Sequence, residues 1–327
     1  MPRRANATAG EALPQVNDDL LGKFSRHRQY NRPIARELML DAGTRDIGQK
    51  IANCAHTLKA DLLIHPELRP EVNLKAAHVC NTRLCPFCEW RRTRAWRARL
   101  TDGLTALYAD QPKLRGVFLT LTVRNPRLED LGATLDHMNK AWSRLIKRSF
   151  FPSDKWFRRT EITITGVPGS NCFSAHPHFH VLLLVRPSYF STGYIKQTTW
   201  QKEWMDAARL DYPPVVDVRA SKKKCGNGTD SESAAKGSVL EAAKYATKAT
   251  ALMELGTAIT EFHFQLRNRR LYALSKKLRE YIKAGDISPE ELMDNNSKPL
   301  PEGTERIDLI AQWFEDTNEY LLSLIHI

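Results

Sequence analysis

Three histidines occupy alternate positions at the start of the stretch HPHFHVLLLV, residues 176–185. The aliphatic run after them predicts a buried strand, on which His178 and His180 project from one face and Phe179 from the other. Two neutral imidazoles side by side on a strand supply two ligands of a divalent-metal site and leave positions for a third ligand and a substrate. His176 has the same parity but precedes Pro177, so we place it in the loop. The alternative is that the histidines cap the strand end through hydrogen bonds.

The third metal ligand should come from an adjacent strand. The stretch RTEITITGV alternates in hydrophobicity and is followed by PGSNCFSAHP, whose Pro, Gly, Ser and Asn favour a turn, so the two strands form a hairpin. Glu161 lies near the start of this first strand and is the candidate ligand. The alternative for Glu161 is a surface salt bridge, because the register across the turn does not follow from the sequence.

Four of the six cysteines lie close together in the sequence. Cys80, Cys85 and Cys88 have the spacing C-x4-C-P-x-C, and Cys54 lies 26 residues upstream of Cys80. A Cys-x-x-Cys loop supplies two thiolates to a tetrahedral zinc ion, which needs two more ligands from elsewhere. Cys54 and Cys80 complete a four-sulfur site, and a redox-active pair is the alternative. The sequence therefore predicts a structural zinc site, for which three nearby histidines are substitute ligands, namely His56, His65 and His78.

Positive charge is concentrated in a few stretches of the chain. The 327 residues carry 49 Lys and Arg against 37 Asp and Glu, a formal net charge of +12. The densest stretch, RRTRAWRAR at 91–99, follows the cysteines on a predicted helix, and further groups lie at 147–148, 222–224 and 267–270. Grouped cations suit a polyanion such as nucleic acid, and the alternative is a solvated basic surface. The predicted DNA-binding residues are Arg91, Arg92, Arg94, Arg97 and Lys244.

The Ala-rich stretch VLEAAKYATKATALMEL, residues 239–255, predicts a helix. Glu241, Tyr245 and Lys248 stand at i, i+4 and i+7, on one face of that helix. A tyrosine hydroxyl beside a metal-bound phosphate can attack the phosphorus, a carboxylate one turn away can activate a water, and a lysine can stabilise the developing charge. The alternative is a half-buried packing residue, which is far more often the role of any one of the nine tyrosines in this sequence.

The order of predicted elements indicates the fold class. Strand 115–123 and an amphipathic helix from 128 precede the hairpin, and a helix, the strand PVVDVRA and the Ala-rich helix follow it. The hairpin makes the sheet at least partly antiparallel, which predicts an α+β fold rather than a parallel doubly wound one. The predicted division is a flexible leader at 1–45 that ends in a short helix at ARELML, a zinc-binding basic segment at 46–105, a nuclease domain at 106–285 and a polar tail at 286–327. No stretch is apolar for the length that crosses a bilayer, so we expect a soluble, cytoplasmic protein without membrane contact.

These segments together resemble the rolling-circle plasmid replication initiators of the HUH endonuclease superfamily, in the class with one catalytic tyrosine. The resemblance covers roughly residues 46–282. It rests on an ordered set of short segments: Cys54, then CNTRLCPFCEWRR, FLTLTVRN, EIT with HPHFHVLLLV, and EAAKYATKA. The leader and the loop 222–237 match no part of the family pattern, so the origin sequence is left unassigned.

The resemblance implies roles for several residues. It implies a divalent metal, Mg²⁺ or Mn²⁺, held by His178 and His180, a nucleophile at Tyr245, and a glutamate at Glu241 in place of a second tyrosine. Thr120 and Thr122 in FLTLTVRN are expected to be framework or DNA-proximal residues. The implied fold is a central antiparallel sheet of RRM or ferredoxin-like type, with the histidine strand in the middle and the tyrosine helix beside it.

The implied function is nicking of origin DNA with formation of a 5′-phosphotyrosine link, in a bacterium or archaeon. The DNA is expected to be single-stranded or in an extruded hairpin, and a host helicase and a DNA polymerase are the expected partners. One alternative is a relaxase or single-tyrosine transposase of the same superfamily. Another is a non-enzymatic, zinc-dependent DNA-binding regulator, whose whole function would lie in the basic helix.

Overall fold

A computed structural model describes residues 18–65, 70–166, 172–221, 231–242, 248–283 and 302–322. The helices are α1 (Asp18–Arg28), α2 (Asn31–Met39), α3 (Arg45–Ala52), α4 (Pro86–Asp110), α5 (Leu131–Leu145), α6 (Gln197–Ala208), α7 (Ser231–Ala242), α8 (Ala249–Glu254) and α9 (Ile259–Leu266). The strands are β1 (Thr57–Ile64), β2 (Glu71–Ala77), β3 (Arg115–Thr122), β4 (Trp156–Gly166), β5 (Phe173–Val185), β6 (Val216–Ala220), β7 (Tyr272–Leu274), β8 (Glu305–Phe314) and β9 (Glu319–Leu322). In these ranges no helix is both long enough and apolar enough to span a membrane.

The histidines lie on the central strand of a five-stranded antiparallel sheet with the order β6-β3-β5-β4-β7. From β3 to β6 the chain runs β-α-β-β-α-β, and the four strands of this unit are ordered as in ferredoxin-like folds. The predicted α+β class, with an antiparallel sheet flanked by helices, is confirmed. So is the predicted position of the histidine strand in the middle of the sheet.

The two faces of this sheet are covered by different helices. Alternate residues of β5, among them Phe179 and Val181, pack in one core with the apolar residues of α5 and α6. Leu182 and Leu184, which alternate with these residues and face the other side of the sheet, pack in another core with α4 and α7. Because strand residues alternate, His178 and His180 share the face of Leu182, on the α4 and α7 side of the sheet.

A second antiparallel sheet, with the order β2-β1-β8-β9, brings together the two ends of the described chain. β8 pairs with β1 along eight residues, and its alternate residues Leu309, Ala311 and Trp313 are buried. Residues 305–314 and 319–322 are therefore strands of a sheet, within the stretch 286–327 that was predicted to be a polar tail. The leader predicted for 1–45 likewise contains α1 and α2, because Leu21, Phe24 and similar residues enter the core.

Two local predictions are wrong. His176, predicted to be in a loop, is part of β5, because Pro177 is accommodated within the strand opposite Ile162. The single helix predicted for 239–255 is not continuous, because α8 begins only at Ala249 and Lys248 before it has extended backbone with φ −74° and ψ 141°.

Candidate functional site

Glu161, His178 and His180 converge on one face of the central sheet, where all three side chains are half-buried. The hairpin register places Glu161 directly opposite His178, so the carboxylate and both imidazoles share one face. Oε2 of Glu161 lies 2.7 Å from Nε2 of His180 and 3.6 Å from Nε2 of His178. Ligands of one ion at ~2.1 Å stand roughly 3 Å apart when they are at right angles, and the observed distances lie on either side of that value.

The remaining imidazole nitrogens are held by hydrogen bonds. Nδ1 of His178 lies 3.0 Å from the carbonyl oxygen of His176, and Nδ1 of His180 lies 3.3 Å from Oγ1 of Thr120 on β3. A carbonyl accepts only, so Nδ1 of His178 carries a proton and donates, and Nε2 is the nitrogen that a metal would ligate once it displaces the proton that faces Glu161. Such hydrogen bonds to the outer nitrogen are the usual support of histidine ligands. Two nitrogens and one carboxylate oxygen therefore fit a divalent ion.

The charge of Glu161 follows from its surroundings. Burial alone would raise the pKa of its carboxyl, but hydrogen bonds and charge interactions with His178 and His180 outweigh burial and hold the pKa well below its usual value. The side chain is therefore a carboxylate throughout the neutral range, as a metal ligand must be.

A buried ion network lies beside the histidines. Arg159 pairs with His180 in the register of β4 and β5, and its side chain is fully buried. Its Nη2 donates to Oε1 of Glu89 on α4 at 3.3 Å, while Oε2 of Glu89 accepts from Nη1 of Arg92 at 2.7 Å. The guanidinium of Arg159 also lies over the ring of Tyr272 on β7, 4.9 Å from its centroid. The network joins β4 to the first turns of α4.

The four predicted zinc ligands also come together. Sγ of Cys88 lies 3.4 Å from Sγ of Cys54 and 3.7 Å from Sγ of Cys80. Together with Sγ of Cys85, these sulfurs all lie within 4.8 Å of one another. A tetrahedral zinc with Zn–S bonds of ~2.3 Å places its sulfurs roughly 3.8 Å apart. The cysteines come from three places: the end of α3, the loop after β2 and the start of α4. None of the substitute histidines joins the described cluster.

The chemistry of the thiols also fits a bound cation. Cys85 and Cys88 are fully buried, and burial raises the pKa of the Cys85 thiol well above its usual value. Thiols so close together and so buried do not all ionise unless a cation compensates their charge, which zinc does when it displaces the protons. The residues present therefore fit a structural zinc ion.

The residues predicted to bind DNA differ in their exposure. Arg91 is only 2% exposed and lies against the ring of Trp90, which withdraws it from a phosphate. Arg92 is held by Glu89 and by the carbonyl oxygen of Asn81. Arg94 is exposed and Arg97 is half-buried. Since five arginines on one helix cannot share a face, the division between packed and exposed side chains follows from helix geometry.

The tyrosine segment is only partly described. Tyr245 and Lys244 lie outside the described residues, and so does the side chain of Glu241, although its backbone belongs to α7. Lys248 is exposed immediately before α8. The predicted shared face of Glu241, Tyr245 and Lys248 does not extend to Lys248, because that residue is not helical.

Sequence analysis missed two features of the site. Thr120, expected to be a framework residue, contacts the ring of His180; the alternation of β3 places it on the histidine face, but the pairing of β3 with β5 was needed to see this. The ion network of Glu89 and Arg159 joins residues 70 positions apart, and no local pattern in the sequence indicates it.

Comparison with known proteins identifies the family. The family model described as "Replication protein" matches residues 71–321. The chain belongs to this replication protein family. It is 31% identical over 290 residues to a "Protein rep" of Lactiplantibacillus plantarum, covering 82% of this chain and 88% of that one. It is 29% identical over 286 residues to a "Protein rep" of Streptococcus pneumoniae, covering 84% and 83% of the two chains.

A third relative in the same family, a "Protein rep" from a Bacillus species, is 32% identical over 273 residues, covering 76% of this chain and 85% of its own. No solved structure matches the chain significantly. The expected family, the plasmid rolling-circle replication initiators, is thus confirmed, and the chain is a plasmid replication initiator.

Proposed function

We propose that this replication protein is a metal-dependent DNA endonuclease and strand transferase of the HUH type. The observation that carries the proposal is the cluster of Glu161 on β4 with His178 and His180 on the central strand β5. Two imidazole nitrogens and one carboxylate leave coordination positions for a phosphate oxygen, and Mg²⁺ or Mn²⁺ suits such a set in a phosphoryl-transfer enzyme. The ion, when bound, would polarise the scissile phosphate of the origin strand.

The covalent step is assigned to Tyr245. Its phenolic oxygen forms a bond to phosphorus, the bond from phosphorus to the 3′ oxygen breaks, and the leaving strand departs with a free 3′-OH while the protein keeps the 5′-phosphate. Lys248 supplies positive charge beside the same segment. Replication by a host polymerase would start from the 3′-OH, with a host helicase opening the duplex.

Release of the protein is assigned to Glu241. After one round of replication its carboxylate takes the proton from a water that attacks the phosphotyrosine, so that termination is hydrolytic. The strand that enters is single-stranded or part of an extruded hairpin. Its phosphates are contacted by Arg94 and Arg97 on α4 and by Lys244, while Arg91 and Arg92 contribute through packing and the ion network rather than through direct contact.

We further propose that the four cysteines hold a structural zinc ion. The support is their mutual distance, their burial and the position of Cys85 and Cys88 at the first turn of α4. A zinc ion there fixes α4 against α3 and the loop after β2. The same turn carries Glu89, whose bond to Arg159 connects the zinc-binding segment to the histidine sheet.

The nuclease proposal is tested by looking for a covalent protein–DNA adduct. Single-stranded oligonucleotides that tile both strands of the replicon are incubated with the protein and Mn²⁺, and protein–DNA adducts are detected on denaturing gels. The wild type should form an adduct with one strand, Tyr245→Phe should form none, and Tyr194→Phe, at an exposed tyrosine, should behave as the wild type. An adduct that persists in Tyr245→Phe, or a wild type that forms none on any strand, refutes the proposal.

A further inference from the structure

A cavity of about 400 Å³ lies between the zinc-binding segment and the helices α1, α8 and α9. Its floor is formed by buried apolar residues that include Leu84, Leu252 and Phe262. Tyr30 and the imidazole of His27 form part of its wall. That imidazole is stacked on Trp90, with ring centroids 4.5 Å apart and 15° between the planes. Pockets of this size, with a mostly apolar lining and a few polar groups, are typical of small-molecule binding sites.

The edge of this cavity is positively charged. Arg26, Arg83 and Lys248 line it, and Arg26 and Lys248 are exposed. A second cavity of about 410 Å³ shares Arg83, Leu84 and Leu266 with the first and adds Arg267 and Arg270, both exposed. The basic group at 267–270, which the proposed chemistry does not use, thus continues the charged edge. An apolar floor with a cationic edge complements a nucleotide, whose base is flat and apolar on its faces and whose phosphate is anionic.

The cavity adjoins the histidine face through two direct contacts. Glu89 in its wall accepts a hydrogen bond from Arg159, which pairs with His180 across β4 and β5. Leu271, also in the wall, accepts the backbone N–H of Thr160 at 2.8 Å, next to Glu161. The cavity wall is therefore bonded to the two residues of β4 that lie opposite His180 and next to Glu161.

We infer that this cavity, termed the base pocket, receives one unpaired nucleobase of the origin strand, while Arg267 and Arg270 contact the phosphates beside it. The inference rests on the proposed function for the identity of the ligand. The base pocket would let the protein distinguish a single strand that carries bases from a sugar-phosphate chain without them. Proteins that bind single strands commonly stack the bases on aromatic side chains, and Tyr30 and Phe262 line this cavity.

The test measures equilibrium binding without cleavage. A fluorescein-labelled oligothymidylate of about 20 nucleotides is compared, by anisotropy, with a strand of equal length in which every base is replaced by hydrogen. Both carry the same phosphates, and the full-length protein is used without Mg²⁺ or Mn²⁺. The wild type should bind the base-bearing strand about tenfold more tightly, as expected for one stacked base.

A pocket-filling variant assigns the preference to the base pocket. Ala249→Leu places a larger side chain in the pocket wall and should reduce the preference to within about twofold, with affinity for the base-free strand unchanged. The matched control is Ala251→Leu on the same helix, which does not line the pocket and should keep the full preference. Arg270→Gln should weaken binding to both strands by the same factor, because it acts through phosphate.

Three results would overturn the inference: equal wild-type affinity for the two strands, a full preference in Ala249→Leu, or the same loss in Ala251→Leu. The wild-type comparison needs no variant, so an unstable Ala249→Leu protein leaves a decisive measurement in place. Because no cleavage is involved, a protein that shows the predicted preference but forms no covalent adduct would refute the nuclease proposal alone. An adduct without any preference for bases would refute the base pocket alone.

Discussion

Glu161 and His180 lie on neighbouring strands with Oε2 and Nε2 2.7 Å apart, at the place where the hairpin register brings an acid and two imidazoles to one face. Backbone hydrogen bonds between β4 and β5 fix the relative position of these two residues, so their alignment does not depend on flexible side chains. A rigid set of ligands loses little conformational entropy when it closes on an ion, which favours binding.

Glu161→Gln tests the third ligand. An amide has nearly the shape of the carboxylate but lacks its charge, so Mn²⁺ affinity should fall at least about tenfold while the fold is kept. Mn²⁺ binding measured by electron paramagnetic resonance provides the readout. The control is Glu129→Gln, an exposed acid that pairs with Arg127 and should leave Mn²⁺ affinity unchanged. Unchanged affinity in Glu161→Gln would exclude it as a ligand.

Cys88→Ser tests the zinc site. Elemental analysis of the purified wild type should give about one zinc per chain, and the variant should lose it together with several kcal/mol of folding free energy, since structural zinc binding is coupled to folding. Cys172→Ser, at an exposed cysteine outside the cluster, should retain both. His178→Ala should also retain zinc. If it does not, the zinc is held by the histidine cluster rather than by the four cysteines.

Local patterns in the sequence were sufficient for the elements that carry the ligands. The alternation in HPHFHVLLLV predicted β5, and the spacing of Cys85 and Cys88 predicted that their thiols lie close together, as they do at the first turn of α4. Both predictions rest on contacts between near neighbours in the chain. The sequence left Glu161 as a candidate metal ligand only, because a shift of one residue in the hairpin register would move its side chain to the other face of the sheet. The backbone pairing resolves that ambiguity.

Long-range contacts could not be predicted in the same way. β8 pairs with β1 although the two strands lie more than 200 positions apart, and its polar alternate residues made the segment resemble a tail. The pairing is decided by apolar burial of Leu309, Ala311 and Trp313 against a core formed from the other end of the chain. No short sequence pattern predicts burial against a distant part of the chain. The hydrogen bond between Arg159 and Glu89 could not be predicted for the same reason.

Glu89→Gln tests the link between α4 and the histidine sheet. The substitution leaves the fully buried guanidinium of Arg159 without its carboxylate, and breaking a buried ion pair in this way costs about 3–5 kcal/mol of unfolding free energy. Urea denaturation measures the loss. Glu280→Gln removes an exposed partner of Lys277 and should cost less than about 1 kcal/mol. Equal, small losses in both variants would show that the buried pair contributes little.

His27 provides a prediction for the acid side of the stability profile. Burial, and secondly the charge of Arg26, lower the pKa of its imidazole to about 4. The unfolded chain takes up this proton near pH ~6.5 and the folded chain only near 4, so acidification between these values favours unfolding. The contribution is complete above pH ~6.5 and is lost as the pH falls, by about 1–2 kcal/mol after allowance for partial exposure.

The variant His27→Phe keeps a ring against Trp90 and removes the titrating group. Its unfolding free energy should therefore fall less than that of the wild type between pH ~6.5 and ~4 in urea titrations. The exposed His56 provides the control His56→Phe, which should keep the wild-type slope. A variant His27→Phe with the wild-type slope would assign the acid sensitivity to other groups.

Thr120→Val tests how the ring of His180 is held. With Nε2 directed at the metal, Nδ1 carries the proton and donates to Oγ1 of Thr120, 3.3 Å away. Valine has the same branched shape and suits a strand equally well, so the variant removes the acceptor and little else. Loss of such an outer hydrogen bond typically weakens metal binding about 10- to 100-fold, because the ring is no longer oriented and its basicity falls.

The readouts for Thr120→Val are Mn²⁺ affinity and the yield of covalent adduct at limiting and saturating Mn²⁺. An orienting role predicts a loss of adduct at limiting metal that saturating metal largely restores, since the nucleophile and the DNA contacts are unchanged. Thr134→Val, at an exposed threonine of α5 whose Oγ1 donates to the carbonyl oxygen of Asp130, should change neither quantity. If saturating Mn²⁺ does not restore the adduct, Thr120 acts on the DNA strand instead, because its face of β3 is the one that the strand approaches.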